Sequence, residues 1–280
     1  MNYEIAELTR EEQALINEVI SAEFGLYFPD GKRQILASRL EPRLRELRLK
    51  RFLDYYLRLQ YSLSTEREHL VRLLTNNETY FFREKSQFEA LFGPELENLI
   101  ATSLIPGQLR FLSAGCSSGE EPHTLNVYLK ENRFRLARTR VVVDAFDLDT
   151  DRLTMARRGE YHLRSLRALE EDRYSRYFRT EDSKVFQLRD LYREGVRFRD
   201  GNILDPNSFV GPGYYDVVFC RNVLIYFSEI ALRRAIENFA RSLRPGGLLF
   251  LGHSESIIGM SAQLQTVRLG NCIAYRRVVP

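Results

Sequence analysis

The sequence predicts an α/β fold, in which a doubly wound, mostly parallel sheet follows an all-helical domain and carries a small inserted subdomain. Three observations lead to this prediction. Residues 1 to about 90 repeat apolar positions at helical spacing and contain few glycines or prolines. From about residue 108, short apolar runs alternate with helical stretches, which is typical of β-α-β units. Residues 163–195 interrupt this alternation and are rich in charge and tyrosine.

The helical domain is predicted over residues 1–75. Its apolar residues recur every three or four positions, as they do on the buried face of a helix. Pro42 lies among them, so it either kinks one helix or begins another. Residues 76–107 then form a linker to the α/β domain, which we place at residues 108–280. The recurring positions are Leu36, Leu40, Leu44 and Leu47, followed by Phe52, Tyr55, Tyr56 and Leu59.

The composition, with 44% hydrophobic and 28% charged residues, is typical of a soluble globular protein. No apolar run approaches the 18 residues of a membrane span, and the acidic N-terminus lacks the features of a signal peptide. We therefore expect a cytoplasmic protein without membrane insertion. The three cysteines are far apart and the four histidines lack ligand spacing, which predicts no metal site and suits a reducing compartment.

Positive charge is concentrated between Lys32 and Arg51, which we call the basic segment. It contains eight Lys or Arg and two Glu, a net charge of +6 in a chain whose total is +3. A local basic patch on a nearly neutral protein indicates an acidic partner surface rather than general polyanion binding. The segment also lacks the interleaved aromatic residues of a nucleic-acid platform, so we expect no nucleic-acid partner.

The α/β domain is predicted to contain five strands, each of which ends at small or polar residues. A shorter strand at residues 185–188 lies in the inserted subdomain. Ligands of doubly wound sheets bind beyond the carboxyl ends of the strands. The polar residues at those ends are therefore the candidate site. The five strands cover residues 109–114, 141–146, 196–200, 215–220 and 248–251.

The first strand leads into a loop of small residues, Ser113–Pro122. Such a loop lets a ligand approach the backbone, although it can also be a plain strand–helix turn. It lacks the lysine of a phosphate-binding loop, and Glu120 and Glu121 suit a cationic group instead. Asp147 ends the second strand roughly 30 residues later, where an acid either accepts hydrogen bonds from ribose hydroxyls or caps a helix. Together these features favour S-adenosylmethionine over NAD, whose pyrophosphate would lie against Glu120.

Several strings of residues resemble the motifs of CheR-type chemotaxis methyltransferases, in the family's order and spacing. The resemblance covers nearly the whole chain, although Ser118 and His123 stand where the family commonly has threonine and tyrosine. It implies a Rossmann-like, S-adenosylmethionine-dependent enzyme of bacterial signal transduction, with an inserted antiparallel β-subdomain at residues 163–195. The family methylates receptor glutamates to γ-methyl esters. The matching strings are Thr75–Glu84, Ser113–Pro122, Asp147–Thr150, Phe219–Phe227 and Leu251–Ser256.

The resemblance also implies the site residues. Arg83 and Arg221 are the catalytic candidates, because an arginine can orient the acceptor carboxylate. An acceptor glutamate is already ionised at neutral pH, so the reaction requires no strong general base. The implied cofactor contacts are Asn77, Thr79, Arg83, Glu120, Asp147, Asn202, Ile203, Asn222 and Val223.

Partners follow from the same resemblance. Receptor methylation regions are acidic helical bundles, so we expect the basic segment to dock onto them, with a merely solvated helix face as the alternative. The β-subdomain is a candidate site for a receptor tail peptide, and we expect a monomer. Two other functions stay open at this point: a non-catalytic sensor of S-adenosylmethionine or S-adenosylhomocysteine, and a methyltransferase acting on RNA or a small molecule.

Overall fold

The computed structural model describes residues 4–180 and 184–278. The chain divides into two compact units. The first comprises Met1–Asn76 and Tyr226–Arg234, and the second comprises Asn77–Ile225 and Ala235–Pro280. The residues predicted to form the helical domain all fall in the first unit, which also includes a short segment from late in the chain.

The first unit is built on the helices α1 (Arg10–Phe24), α2 (Arg33–Glu46) and α3 (Phe52–Leu74). α1 begins at a capping box, in which Thr9 and Glu12 exchange side-chain-to-backbone hydrogen bonds. Pro42 lies inside α2, so no new helix begins at that residue. The leucines that recur at helical spacing in α2 are fully buried: Leu36, Leu40 and Leu44.

A buried carboxylate joins α2 to α3. Glu66 accepts hydrogen bonds from Arg43 Nε at 2.8 Å and from Arg58 Nε at 2.6 Å. Burial would raise the pKa of Glu66, but hydrogen bonds from the two arginines lower it to about 2. Arg43 is therefore a structural residue of this unit, although it contributes to the charge of the basic segment.

The second unit contains the larger sheet and the helices that cover it. Its helices are α4 (Lys85–Leu91), α5 (Pro94–Ala101), α6 (Glu120–Glu131), α7 (Thr150–Arg158), α8 (Tyr174–Tyr177), α9 (Asp190–Arg193) and most of α10 (Glu229–Ser242). Its strands are β1 (Gln108–Ala114), β2 (Arg140–Asp147), β3 (Glu160–Tyr161), β4 (Phe178–Arg179), β5 (Phe186–Leu188), β6 (Val196–Asp200), β7 (Tyr215–Cys220), β8 (Leu243–Leu251), β9 (Leu264–Leu269) and β10 (Cys272–Arg277).

The larger sheet has the strand order β6-β2-β1-β7-β8-β10-β9. The strands from β6 to β8 are parallel, which confirms the predicted doubly wound architecture. β10 and β9 add an antiparallel hairpin that the sequence pattern does not predict. The sequence pattern misses the hairpin because β9 is largely exposed: of its six residues, Leu264 alone is buried.

A second, smaller sheet has the strand order β3-β5-β4 and is antiparallel. It confirms the expected inserted β-subdomain, although its first strand begins at Glu160 rather than after residue 163. Residues 181–183, which belong to the predicted subdomain, lie outside the described residues.

Stacked aromatic rings fill one face of the larger sheet. Phe88 of α4 stacks on Phe219 of β7, whose ring stacks in turn on Phe250 of β8, with centroids 5.1 and 4.8 Å apart. Burial of each such side chain stabilises the fold by roughly 1.5–3 kcal/mol. This packing fixes β7 and β8, so the loops at their carboxyl ends extend from a rigid base.

Candidate functional site

The carboxyl ends of the parallel strands bring the candidate residues to one edge of the sheet. The loop after β1 passes directly against the loops after β6 and β7. A Cβ atom on Gly115 would lie 2.8 Å from Val223 Cγ2 and 3.7 Å from Ile203 Cδ1. Gly115 also has a φ of 75°, so both its conformation and its surroundings require glycine.

Asp147 lies at the end of β2, beside this glycine loop. Its two oxygens accept hydrogen bonds from the backbone N–H of Ser117 at 2.7 Å and of Asp149 at 2.9 Å. Burial raises the pKa of Asp147 to about 6, although both hydrogen bonds favour the ionised form. The carboxylate is thus held in one orientation at the edge of the site.

Asn77 is hydrogen-bonded to Asp149, which in turn contacts Asp147. Asp149 caps α7 and also accepts a hydrogen bond from Asn77 Nδ2 at 2.9 Å. The Asn77 side chain also lies within 3.4 Å of the Ser117 hydroxyl. Asp149 immediately precedes α7 as its N-cap, so the sequence alone predicts no further role for it.

Glu120 and Glu121 begin α6 but face different partners. Glu120 is only 2% exposed, and its oxygens accept hydrogen bonds from the hydroxyls of Ser118 and Ser165. Burial raises its pKa. Glu121 instead forms an ion pair with Arg221, at 2.6 Å. The expectation that both acids suit a cationic ligand group is therefore corrected: Glu121 is already neutralised by an internal arginine.

The carboxylate of Glu255, for which the sequence predicted no role, anchors the loop after β7. Glu255 accepts hydrogen bonds from the backbone N–H groups of Asn222, Leu224 and Gly252, each at 2.7 Å. Asn222 has a left-handed backbone with a φ of 61°, which this anchoring stabilises. The signal available in the sequence was an acid shortly after the end of a predicted strand.

Three other expected cofactor contacts lie in the same unit. Asn202 Oδ1 accepts from the N–H of Leu204 at 2.9 Å and so shapes the loop after β6. Asn238 donates to the carbonyl of Ile203 at 2.9 Å. Thr79 is half-buried in the segment that precedes α4.

Arg83 lies in a strained turn. Its neighbours Phe82 and Glu84 both have left-handed backbones, with φ of 60° and 52°, which is unfavourable for residues other than glycine. Arg83 is half-buried, and its guanidinium donates to the carbonyl of Glu78 at 3.0 Å and lies 5.6 Å from the centre of the Tyr80 ring. These contacts leave further N–H donors of the guanidinium for a ligand.

Arg221 is located differently from Arg83. Its side chain is 3% exposed, its Nε pairs with Glu121, and its Nη1 donates to the backbone carbonyl of Arg83 at 2.7 Å. The same Nη1 lies 3.9 Å from a carboxylate oxygen of Glu84. This differs from the expectation that Arg221 orients an acceptor carboxylate. Its donors are instead bonded to Glu121 and to the backbone carbonyl of Arg83.

His123 is not placed to act as a base. The ring is fully buried, and its Nε2 lies 3.0 Å from the carbonyl of Ala156. Burial lowers the pKa of His123 to about 4, so the ring is neutral at physiological pH.

The basic segment, in the first unit, offers fewer available cations than its charge suggests. Arg39 donates to the carbonyl of Leu74, and Arg43 is paired with Glu66. Arg45 and Arg51 form exposed pairs with acidic neighbours on the same surface. Among the described residues, the cations of this segment with neither an ion pair nor a side-chain hydrogen bond are Lys32, Arg33, Arg48 and Lys50.

The residues at the sheet edge fit S-adenosylmethionine. Over residues 4–180 and 184–278, Asn222 Oδ1 is buried without a hydrogen-bond partner, so it can accept from a ligand N–H. Asp147 offers a fixed acceptor for ribose hydroxyls, and Gly115 lets the loop after β1 approach Val223 and Ile203 closely. The same part of the chain contains no cluster of His, Cys, Asp and Glu able to hold a metal ion. None of its helices is long and apolar enough to cross a membrane.

Comparison with known proteins assigns most of the chain to one family. The SAM-binding domain model of the CheR methyltransferase family matches residues 77–272, and the family's all-alpha domain model matches residues 11–75. The chain is 37% identical to chemotaxis protein methyltransferase 2 of Vibrio cholerae, over 90% of this chain and 87% of that protein. It is 35% identical to chemotaxis protein methyltransferase 1 of Pseudomonas aeruginosa, over 90% and 92%. The identity to the Salmonella typhimurium chemotaxis protein methyltransferase is 34%, over 86% and 82%.

Proposed function

Since the chain belongs to the CheR methyltransferase family and is an S-adenosylmethionine-dependent enzyme, we propose that it methylates glutamate side chains of bacterial chemoreceptors, forming γ-methyl esters. The observation that carries this proposal is the combination of a family match over both units with the site at the carboxyl edge of the sheet. That site joins a fixed acid, a glycine loop and an arginine with free donors.

The cofactor would be held by residues from five segments. Asp147 would accept hydrogen bonds from the ribose hydroxyls, and Asn222 Oδ1 from an N–H of the cofactor. Glu120 would offer the negative charge for the ammonium group, because Glu121 is committed to Arg221. Bound there, S-adenosylmethionine supplies an electrophilic methyl group. The remaining contacts would come from Asn77, Thr79, Arg83, Asn202, Ile203 and Val223.

The protein's own contribution to catalysis is orientation and exclusion of water. A receptor glutamate has an ordinary pKa of about 4.3, so it reaches the enzyme as a carboxylate and needs no base. Arg83 would hold that carboxylate through its unused N–H donors and fix its line of approach. A single arginine suits this role, because a second one at the same oxygens would quench the nucleophile.

Arg221 acts, in this proposal, as a positioning residue. It neutralises Glu121 and fixes the backbone of Arg83, so that the guanidinium of Arg83 extends from one conformation of a strained turn. In some proteins a buried ion pair specifies one conformation while adding little stability.

Docking would use both units. Receptor methylation helices are acidic, and the exposed cations of the basic segment provide a complementary charge. Lys32, Arg33, Arg48 and Lys50 have no ion pair among the described residues and are the first candidates. A receptor tail peptide at the β-subdomain and a monomeric state belong to the same proposal.

The experiment that tests the proposal offers three substrates side by side. The protein is incubated with methyl-labelled S-adenosylmethionine and a receptor cytoplasmic fragment, total RNA, or a small-molecule extract. We expect label in the receptor fragment, released as methanol by mild alkali, as an ester requires. Transfer to RNA or to small molecules would overturn the proposal, and binding without transfer would indicate a sensor. The named relatives are chemotaxis protein methyltransferases, which favours a protein substrate.

A further inference from the structure

An arginine cluster on the second unit combines Arg83 with two arginines that have no role assigned above, Arg164 and Arg167. Arg164 and Arg167, three positions apart, both contact the same carboxylate oxygen of Glu78, at 3.3 and 3.2 Å. The guanidinium of Arg167 also lies 3.8 Å from the centre of the Tyr80 ring. Arg83 approaches that ring as well. Three arginines thus surround one glutamate and one tyrosine.

The cluster borders the candidate cofactor site. Phe81 N–H donates to the carbonyl of Ser165 at 2.8 Å, which fastens the segment of Glu78 and Tyr80 to the β-subdomain. The hydroxyl of the same Ser165 donates to Glu120 at 2.9 Å. Arg164 and Arg167 therefore flank a residue in direct contact with the acid expected to face the cofactor.

The charge of the cluster is only partly balanced. Glu78 supplies one negative charge against three positive ones, and it is itself half exposed. The Arg164 side chain is 79% exposed. Exposed ion pairs of this kind contribute little stability. Another carboxylate can therefore replace Glu78 as the partner of these arginines at little cost. Stacking on Tyr80 orders Arg167 in advance, which lowers the entropic cost of binding an anion there.

We propose that Arg164 and Arg167 bind carboxylates that flank the acceptor glutamate on the substrate helix. Residues three or four positions apart lie on one helix face, about 5–6 Å from each other. An acceptor held by Arg83 would thus present its neighbours, one turn away, to the two arginines. The enzyme then favours acceptor glutamates within acidic stretches. This inference rests on the proposed function and assigns part of its substrate specificity to the β-subdomain.

The test compares two substrates. One is a receptor methylation fragment without its C-terminal tail, and the other has Gln in place of the Glu residues one turn on either side of the acceptor. The variant R164Q/R167Q removes both cluster charges. The matched control R173Q/R176Q removes two arginines at the same spacing in the same subdomain, each exposed and paired with a glutamate.

We expect R164Q/R167Q to lower kcat/KM on the acidic fragment by about tenfold, the effect of two exposed ion pairs. On the neutralised fragment the change should be less than about twofold, and R173Q/R176Q should match the wild type on both. E78Q should act in the opposite direction and raise kcat/KM on the acidic fragment. Calorimetric binding of S-adenosylhomocysteine by each variant confirms that the site is intact.

Equal losses on the two fragments would overturn the inference and leave the proposed function in place. Equal losses in R164Q/R167Q and R173Q/R176Q would also overturn it, because general charge would then suffice. Failure of the wild type to methylate either fragment would instead overturn the proposed function, and the inference with it.

Discussion

Substitution of Arg221 tests most directly whether this residue positions Arg83. The substitution R221M would leave Glu121, whose side chain is only 11% exposed, without its ion-pair partner, and the Arg83 carbonyl without its donor. Loss of one member of a buried pair costs about 3–5 kcal/mol. At about 2–4 °C per kcal/mol for a chain of this size, we expect Tm to fall by roughly 10 °C.

The double variant R221M/E121Q separates stability from positioning. Gln keeps an acceptor for the hydroxyl of Ser113 but removes the unpaired charge. We expect it to recover much of the lost stability, with a coupling free energy of roughly 2 kcal/mol in the mutant cycle. Its kcat should stay low, by on the order of 10- to 100-fold, because the turn around Arg83 is no longer fixed.

A second buried pair provides the matched control. Arg244 pairs with Asp216 at 2.5 Å, both side chains are 5% exposed, and Arg244 also donates to a backbone carbonyl. It lies at the start of β8, whereas the site lies beyond the carboxyl ends of the strands. R244M should lower Tm as R221M does and leave kcat near the wild-type value below Tm. Equal losses of kcat in R221M and R244M would refute the positioning role.

Four further predictions concern Asp147, its titration, Arg83 and the basic segment. D147A should weaken S-adenosylhomocysteine binding by about 1–3 kcal/mol in calorimetry, since ribose loses a charged acceptor; unchanged affinity would exclude the assignment. With its pKa raised to about 6, Asp147 is protonated at lower pH, so wild-type affinity should fall as the pH drops through 6 and binding should release protons. R83A should lower the methylation rate more than cofactor affinity; equal losses would make Arg83 a plain cofactor ligand. R33E/R48E/K50E should bind S-adenosylhomocysteine normally but lose salt-sensitive receptor methylation; a wild-type rate at both low and high salt would make the basic segment a solvated face.

The sequence predicted those parts of the fold whose signal is local. Strands such as β1 and β2 are short, mostly apolar runs bounded by turn residues, and Asp147 lies at the end of β2. β9 escaped prediction because a strand exposed along most of its length has no apolar pattern. Pro42 could not be interpreted, because its effect depends on how the rest of α2 packs.

Roles that depend on distant partners could not be predicted from the sequence. Arg221 and Glu121 are 100 residues apart, so nothing in the local sequence showed that each neutralises the other. Glu255 lies after β8 in the motif Leu251–Ser256. Its four backbone partners, however, are brought to it only when the loops fold. The same holds for Arg43: its charge is visible in the sequence, whereas its burial against Glu66 is not.

The most direct test of the proposed activity is the identity of the methylated atom. The protein is incubated with methyl-labelled S-adenosylmethionine and a receptor cytoplasmic fragment, and the labelled peptides are then mapped by tandem mass spectrometry before and after mild alkali. We expect label on glutamate side chains of the methylation helices and its complete release as methanol, with less label from D147A when the cofactor is limiting. Label that resists alkali, or that maps to lysine, arginine or a chain terminus, would contradict glutamate O-methylation.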